Sequence, residues 1–290
     1  MKRKALSMLL AVSMAFALTA CAGGGNNSNS ASGASTASVS DNSAADSVSD
    51  SSADSASDTA TDSTGADDTA SADVMTHEEY VAAELDTEVT IETYVQAKQS
   101  WWEDEGQGKA TVYGQSEDGA YFMYDMACSQ EDYEKLVPGT KIRVTGYKAE
   151  WSGEVEIMDG SFEIVEGDEF IATALDATEL LGTDELINHQ NELVQFKGMT
   201  VEPANPDGDA SAAFLYNYDG SGSEGDDLYF NASYNGQTYT FVIESYLCDS
   251  STEVYSAVKA LQVGQTIDME GFLYWYEGAN PHITSVSVVG

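Results

Sequence analysis

From about residue 88 onward the chain alternates apolar and polar positions in short runs, each closed by turn-forming residues. Val89, Ile91, Thr93 and Val95 alternate with Thr90, Glu92, Tyr94 and Gln96, the period-two pattern of a half-buried strand. Residues 110–113 and 121–126 predict two further strands, parted by the turn Ser116-Glu117-Asp118-Gly119. A short helix over 130–137 follows, stopped by Pro138-Gly139. Strands at 141–147 and 154–158 come next, and 162–165 extends the last one past a turn. Ahead of this series Thr76-His77-Glu78-Glu79 has the form of a capping box, which opens a helix over 78–85.

The second half repeats the plan. Residues 176–189 are helical in pattern and broken near Gly182. Strands are predicted at 193–201, 228–234 and 238–243, the last two joined by Asn235-Gly236, the strongest short hairpin signal. A helix over 251–261, a strand ending at Gly271 and a closing strand over 283–289 complete it. Cys128 and Cys248 fall at the same point of the two halves, after the third strand and before the helix. Such correspondence marks an internal repeat.

Within each half the order is three strands, a short helix and two strands. The segment Leu136-Val137-Pro138-Gly139-Thr140-Lys141-Ile142-Arg143-Val144-Thr145-Gly146 runs from a helix end through a glycine into an alternating strand that reaches a second glycine, and residues 262–271 follow the same logic. This resembles the OB-fold, a five-stranded Greek-key barrel. The resemblance implies a mainly β protein of two tandem OB-like five-stranded barrels, each with a short helix, over 75–169 and 170–290.

The N-terminus follows different rules. Lys2, Arg3 and Lys4 precede a short apolar run over 5–18, too short for a spanning helix of about 20 residues and typical of a secretory signal. It ends in Leu18-Thr19-Ala20-Cys21, which resembles the bacterial lipoprotein lipobox. The resemblance implies that residues 1–20 are removed and that Cys21 carries lipid, placing the protein on the extracytoplasmic face of the cell membrane. Residues 21–74 are then the lipidated N-terminus and a linker of Ser, Ala, Asp, Thr, Gly and Asn with no aromatic residue. That composition predicts disorder, with a reach of about 40 Å.

Charge narrows the partners. The formal charge is −39, from 11 basic and 50 acidic residues, and loss of Lys2, Arg3 and Lys4 takes it to −42. Such a protein repels nucleic acid and anionic lipid at long range. With Cys21 assigned to lipid, Cys128 and Cys248 remain; two buried free thiols are expected, since two cysteines are no disulfide framework. A bond between them requires Cα atoms within about 7 Å.

In the OB-fold, ligands meet strands two and three and the loops L12 and L45, which join strands one to two and four to five. The resemblance therefore directs attention to Trp101 and Trp102 in the first L12 and Trp151 in the first L45, expected to converge on one edge. Tyr94, Tyr113 and Tyr147 are expected to point outward beside them. In the second barrel the corresponding residues are Phe214, Tyr216 and Tyr218 in L12, and Tyr274, Trp275 and Tyr276 at L45. Exposed aromatics offer stacking surfaces for bases, sugars or a partner protein; the alternative is that they plug barrel ends or fill an interdomain seam. Glu103, Asp104 and Glu105 follow the Trp pair, which opposes phosphate but not neutral sugars or cationic peptides. Lys141 and Arg143 share the outer face of strand four, the one place where nucleic acid would find local positive charge.

Residues 219–227 resemble an oxygen-rich calcium loop but lack the EF-hand glutamate, Phe230 standing at position twelve. A solvated acidic loop is the first reading and weak calcium binding the second; no other cofactor is expected. His77, His189 and His282 are isolated in sequence, and no motif for a metal, phosphate or nucleophilic site occurs. The expectation is a non-enzymatic binding or adaptor module for a protein or a neutral ligand such as a glycan. Binding of extracellular nucleic acid is the alternative, and hydrolysis at an unrecognised site a third reading.

Overall fold

The computed structural model describes residues 73–290; the predicted signal peptide, Cys21 and nearly all of the linker lie outside them. The first barrel contains α1 (His77–Ala82), β1 (Glu88–Lys98), β2 (Trp102–Asp104), β3 (Gln107–Gln115), β4 (Ala120–Ala127), α2 (Gln130–Lys135), β5 (Lys141–Trp151) and β6 (Glu154–Ile164). Its sheet runs β1-β5-β6-β4-β3-β2, and β1 also pairs with β3, so five strands close on themselves. Every pairing is antiparallel except β4 with β6.

The second barrel contains β7 (Leu175–Asp176), β8 (Leu193–Glu202), β9 (Leu215–Tyr216), β10 (Leu228–Tyr234), β11 (Gln237–Ile243), α3 (Glu253–Lys259), β12 (Thr266–Phe272) and β13 (His282–Val288). It closes in the same way through β8-β12-β13-β11-β10 and back to β8, with β11 and β13 parallel. Numbered within each barrel, both read 1-4-5-3-2 with strands three and five parallel and a helix between three and four. This is the OB strand order, and the protein is mainly β with two tandem OB-like barrels.

Local chemistry accounts for the elements. The Thr76 capping box forms as expected, the Thr76 hydroxyl accepting from the Glu79 amide and the Glu79 carboxylate from the Thr76 amide. Val89, Ile91, Val95, Ile142, Val144 and Ile157 point into the first core, while Phe196, Phe230, Phe241 and Tyr255 fill the second. Each such side chain contributes about 1.5–3 kcal/mol by leaving water. Asn235 and Gly236 take positive φ values of 50° and 80°, the turn an Asn-Gly hairpin demands. The glycines of these two corresponding strands are fixed by close approach: a Cβ on Gly146 would lie 2.8 Å from the Met158 carbonyl oxygen, and one on Gly271 2.2 Å from that of His282.

Several expectations need correction. The helix predicted over 176–189 is instead two 3-10 turns, Thr178–Leu180 and Leu186–His189. Asp176 Oδ1 draws the Thr178 amide and hydroxyl to itself, and Gly182 sits at φ 76°, so no helix propagates. The predicted L12 is a hairpin, β2 pairing with the start of β3. The last strand of the first barrel is continuous from Glu154 to Ile164 rather than broken by a turn. Tyr113 does not point outward to solvent; it is fully buried for a reason given below. Cys128 and Cys248 are both free and buried, and burial pushes their thiols up to about 11 and about 12.

Candidate functional site

Strand alternation sends Tyr121 and Met123 into the first core, and so turns Phe122 and Tyr124 outward. Phe122 lies opposite Tyr113 in the β3–β4 register. The second barrel covers this pair with Phe272, Tyr274 and His282. Tyr113 stacks on Phe272 at 4.6 Å, Phe122 meets Tyr274 edge-on at 5.2 Å, and Tyr274 stacks on His282 at 4.2 Å. Tyr113 Oη lies 2.6 Å from His282 Nδ1. Burial holds His282 down at about 3 and raises the Tyr113 hydroxyl well above its ordinary range. The imidazole is therefore neutral, and Tyr113 donates to Nδ1 with the ring proton assigned to Nε2.

Polar contacts ring this aromatic seam. The Trp275 amide donates to Glu154 Oε2 at 2.8 Å, the Glu277 amide to the Ser152 carbonyl at 2.7 Å, and the Leu193 amide to Gln115 Oε1 at 2.8 Å. The Ser100 amide donates to the Tyr246 carbonyl at 2.7 Å. The outer face of β3 and β4, the strand-two and strand-three surface that OB barrels offer to ligands, is thus largely occupied by the second barrel.

The tryptophans and tyrosines singled out in the sequence separate into distinct groups. Trp101 is half-buried, and its Nε1 donates to the Cys128 carbonyl at 2.9 Å. Trp102 is more exposed and donates to Asp125 Oδ1 at 3.0 Å. Trp151, at the tip of β5, is 60% exposed, and Tyr147 on the same strand is exposed as expected. Trp275 packs over Gly153 of the first L45, where a Cβ would meet its ring at 2.7 Å. Tyr216 donates to Glu224 Oε2 at 2.7 Å, while Tyr218 is 76% exposed. Trp101 and Trp102 of the first L12 are thus tied to their own barrel, and Ser152 and Gly153 of the first L45 meet the second barrel.

Several basic residues are engaged within the chain. Lys141 Nζ lies 2.5 Å from Glu92, and Arg143 pairs with Glu92 at 2.7 Å and Glu163 at 2.5 Å. These contacts hold the Glu92 carboxyl below its ordinary range, the Lys141 hydrogen bond contributing most. Lys148 is buried and donates to the carbonyls of Tyr80, Val81 and Ala83 at 2.8–3.0 Å, closing the end of α1. In the acidic loop Asp219 accepts from the Ser221 amide, Asp226 from the Ser223 amide, and Glu224 pairs with Lys259. Among the described residues no three His, Cys, Asp or Glu side chains gather as metal ligands.

Phe122, Phe272 and Glu154, which the sequence reading passed over, and His282, which it took as isolated, build the seam together with Tyr274, one of the aromatics for which an interdomain seam was the alternative role. A signal for them exists. Tyr121-Phe122-Met123-Tyr124 is an unbroken apolar run within β4, as expected where both faces of a strand are covered, and Phe272-Leu273-Tyr274-Trp275-Tyr276 is a second such run that starts at the last residue of β12.

No family model matches the chain, and no curated protein matches it. Solved structures resemble it in shape at low identity. A murine DNA-binding protein bound with double-stranded DNA is 11% identical, with 69% of this chain and 96% of that chain covered at a TM-score of 0.33. The HINb domain of p204 is also 11% identical, covering 68% and 95% at 0.31. A Replication Protein A heterotrimer bound to single-stranded DNA is 10% identical, covering 69% of this chain and 48% of that one at 0.29. The strand order of the two barrels remains the ground for the fold.

Proposed function

We propose that the chain is a lipid-anchored, extracytoplasmic binding or adaptor module without catalytic activity, which presents its two barrels to a protein partner or a neutral glycan. The observation that carries this reading is the exposure of both Tyr147 and Trp151, four positions apart on β5, in a strongly acidic protein. Two rings on one strand face form a platform suited to sugar or peptide stacking. Lys141 and Arg143, the basic face on which a nucleic-acid reading would rest, are already neutralised by Glu92 and Glu163. The anchor rests on the Leu18-Thr19-Ala20-Cys21 motif, and the linker composition supplies the spacing.

Two measurements test the reading. Cells fed a clickable palmitate should label the wild-type chain but not Cys21→Ser, and the substituted chain should leave the membrane fraction. The purified protein should bind members of a glycan or peptide array, with at least tenfold loss on joint Tyr147→Ala and Trp151→Ala substitution. Equal labelling of both chains overturns the anchor. Unchanged binding by the double variant overturns the platform, and steeply salt-dependent capture of oligonucleotides alone favours the nucleic-acid reading.

A further inference from the structure

At the rim of the seam the first barrel leaves a carboxylate without a counter-ion. Val155 and Ile157 pack toward the first core, so Glu154 and Glu156 face outward with Phe122 and Tyr124 of the neighbouring β4. Glu156 is only 4% exposed, yet among the described residues its side chain takes part in no hydrogen bond or ion pair. Burial, with a smaller contribution from Asp125, pushes it up to about 7. Asp125 stands beside it on a backbone of φ 49°, one oxygen held by Trp102 and Thr111.

Phe122 lies opposite Glu156 in the register, with Tyr124 at 6.4 Å and Tyr274 at 5.2 Å from its ring. Tyr124 and Tyr246 are 39% and 65% exposed. Burial first, then Asp125, Glu156 and Tyr246, raise the Tyr124 hydroxyl. Burial first, then Glu154, Glu156, Tyr124 and Glu244, raise that of Tyr274. No lysine or arginine enters either environment. Elsewhere the chain pairs its own cations with tyrosine: Lys98 sits 3.8 Å from the Tyr133 centroid, Lys148 5.2 Å from Tyr80 and Lys259 5.8 Å from Tyr255. The rim has the same rings and more carboxylate, and lacks only the cation. A metal ion is poorly matched, since no three ligating side chains gather there.

We propose that Tyr124, Asp125, Glu156 and Tyr246 form a docking surface for a basic segment of a protein partner, with one lysine or arginine side chain lying against the two rings and Glu156 as its counter-charge. The inference rests on the binding reading above and names the partner's chemistry. Cation–π contact and a desolvated carboxylate are the features from which binding hot spots are built. A uniformly acidic protein attracts any polycation, so the test must separate this surface from the overall field.

The probe is a fluorescein-labelled octapeptide of alternating Lys and Gly, titrated against the full chain at 150 mM salt by anisotropy. Tyr124→Ala and Tyr246→Ala leave the charge unchanged, and Glu156→Gln removes the buried rim carboxylate, with all titrations run at pH 8, above the value of about 7 to which burial raises it. Asp207→Asn removes one charge at an exposed position elsewhere. The expected result is at least tenfold weaker binding for each of the first three and less than twofold for Asp207→Asn, with circular dichroism melts confirming that every variant folds. Equal losses for Glu156→Gln and Asp207→Asn, or tyrosine variants that bind like wild type, overturn the proposal. Array binding of glycans with no affinity for the octapeptide overturns it while leaving the binding reading in place; absence of binding to any ligand class overturns both.

Discussion

Glu154 should make the two-barrel body lose stability as the solution turns alkaline. Its side chain is fully buried. Oε2 accepts from the Trp275 amide at 2.8 Å, but Oε1 has no partner, and neither does Asn191 Oδ1. Asn191 lies within hydrogen-bonding reach of the carboxyl, with its Nδ2 given to the Val155 carbonyl at 3.2 Å. Turning the amide over would supply Glu154 with a donor only by taking that bond from Val155. Burial raises this carboxyl from 4.5 to about 8. The folded state therefore holds the proton more tightly than the unfolded chain does. Its stabilisation is complete below about 4.5, falls as pH rises, and is gone once pH passes about 8. At about 1.4 kcal/mol per pH unit, the window spans about 5 kcal/mol as an upper bound. For a body of this size that corresponds to about 10–20 °C in melting temperature. Glu156 and Glu244, both raised to about 7 by burial, act in the same direction. Glu154→Gln keeps the shape, accepts from Trp275 and donates to Asn191 without ionising. Thermal melts from pH 5 to 9 should show the two proteins close at pH 5 and the variant several degrees more stable at pH 9. Parallel curves would refute the protonated carboxyl at the seam.

Other consequences of the geometry are open to simple measurements. Tyr113→Phe removes the hydroxyl that meets His282 Nδ1 at 2.6 Å and should cost about 1–3 kcal/mol in urea unfolding; a loss below about 0.5 kcal/mol, the low end for a single hydrogen bond, would mean that the contact does not hold the seam. Lys148→Met leaves the Tyr80, Val81 and Ala83 carbonyls without their donor and should destabilise by about 2–3 kcal/mol, with amide exchange in α1 rising first. Cys128 and Cys248, buried and with thiols raised to about 11 and about 12, should react with Ellman's reagent at pH 8 far more slowly in the native protein than in urea. Equal rates in the two states would show that the thiols are not enclosed.

Period-two alternation and turn chemistry are local properties, and they located the strands. Val89 to Val95, the Asn235-Gly236 hairpin and the repeated passage from one glycine through an alternating strand to a second each fix a backbone choice within a few residues. The seam is not local. Whether Tyr113 faces water or Phe272 depends on a contact between strands more than 150 positions apart, and an outward register position looks the same in both cases. The trace that remains is indirect, in the loss of alternation at Tyr121-Phe122-Met123-Tyr124. Charge pairing is equally hidden: Lys141 and Arg143 look like a basic face until β1 brings Glu92 between them.

The repeat itself changes what the first barrel offers to a ligand. In a single barrel the outer surface of strands two and three is free for ligand. Here the second copy lies on that surface of the first, so Tyr113 and Phe122 serve cohesion rather than recognition. Phe272 and His282, which meet them, come from strands four and five of the second barrel, so the contact is head to side rather than symmetric. The corresponding β10–β11 surface of the second barrel is not consumed in the same way, as the exposed Tyr218 beside Tyr229 at 6.5 Å indicates. On the binding reading proposed above, recognition falls not to the middle of the first barrel but to the rim of the seam and the L45 tip, where Tyr124, Tyr246, Tyr147 and Trp151 remain exposed. A ligand at the rim meets both barrels at once, which couples its affinity to the integrity of the seam. Glu154→Gln should therefore preserve rim binding at pH 9 better than wild type does, because it keeps the two halves of that surface in register while leaving every rim side chain in place.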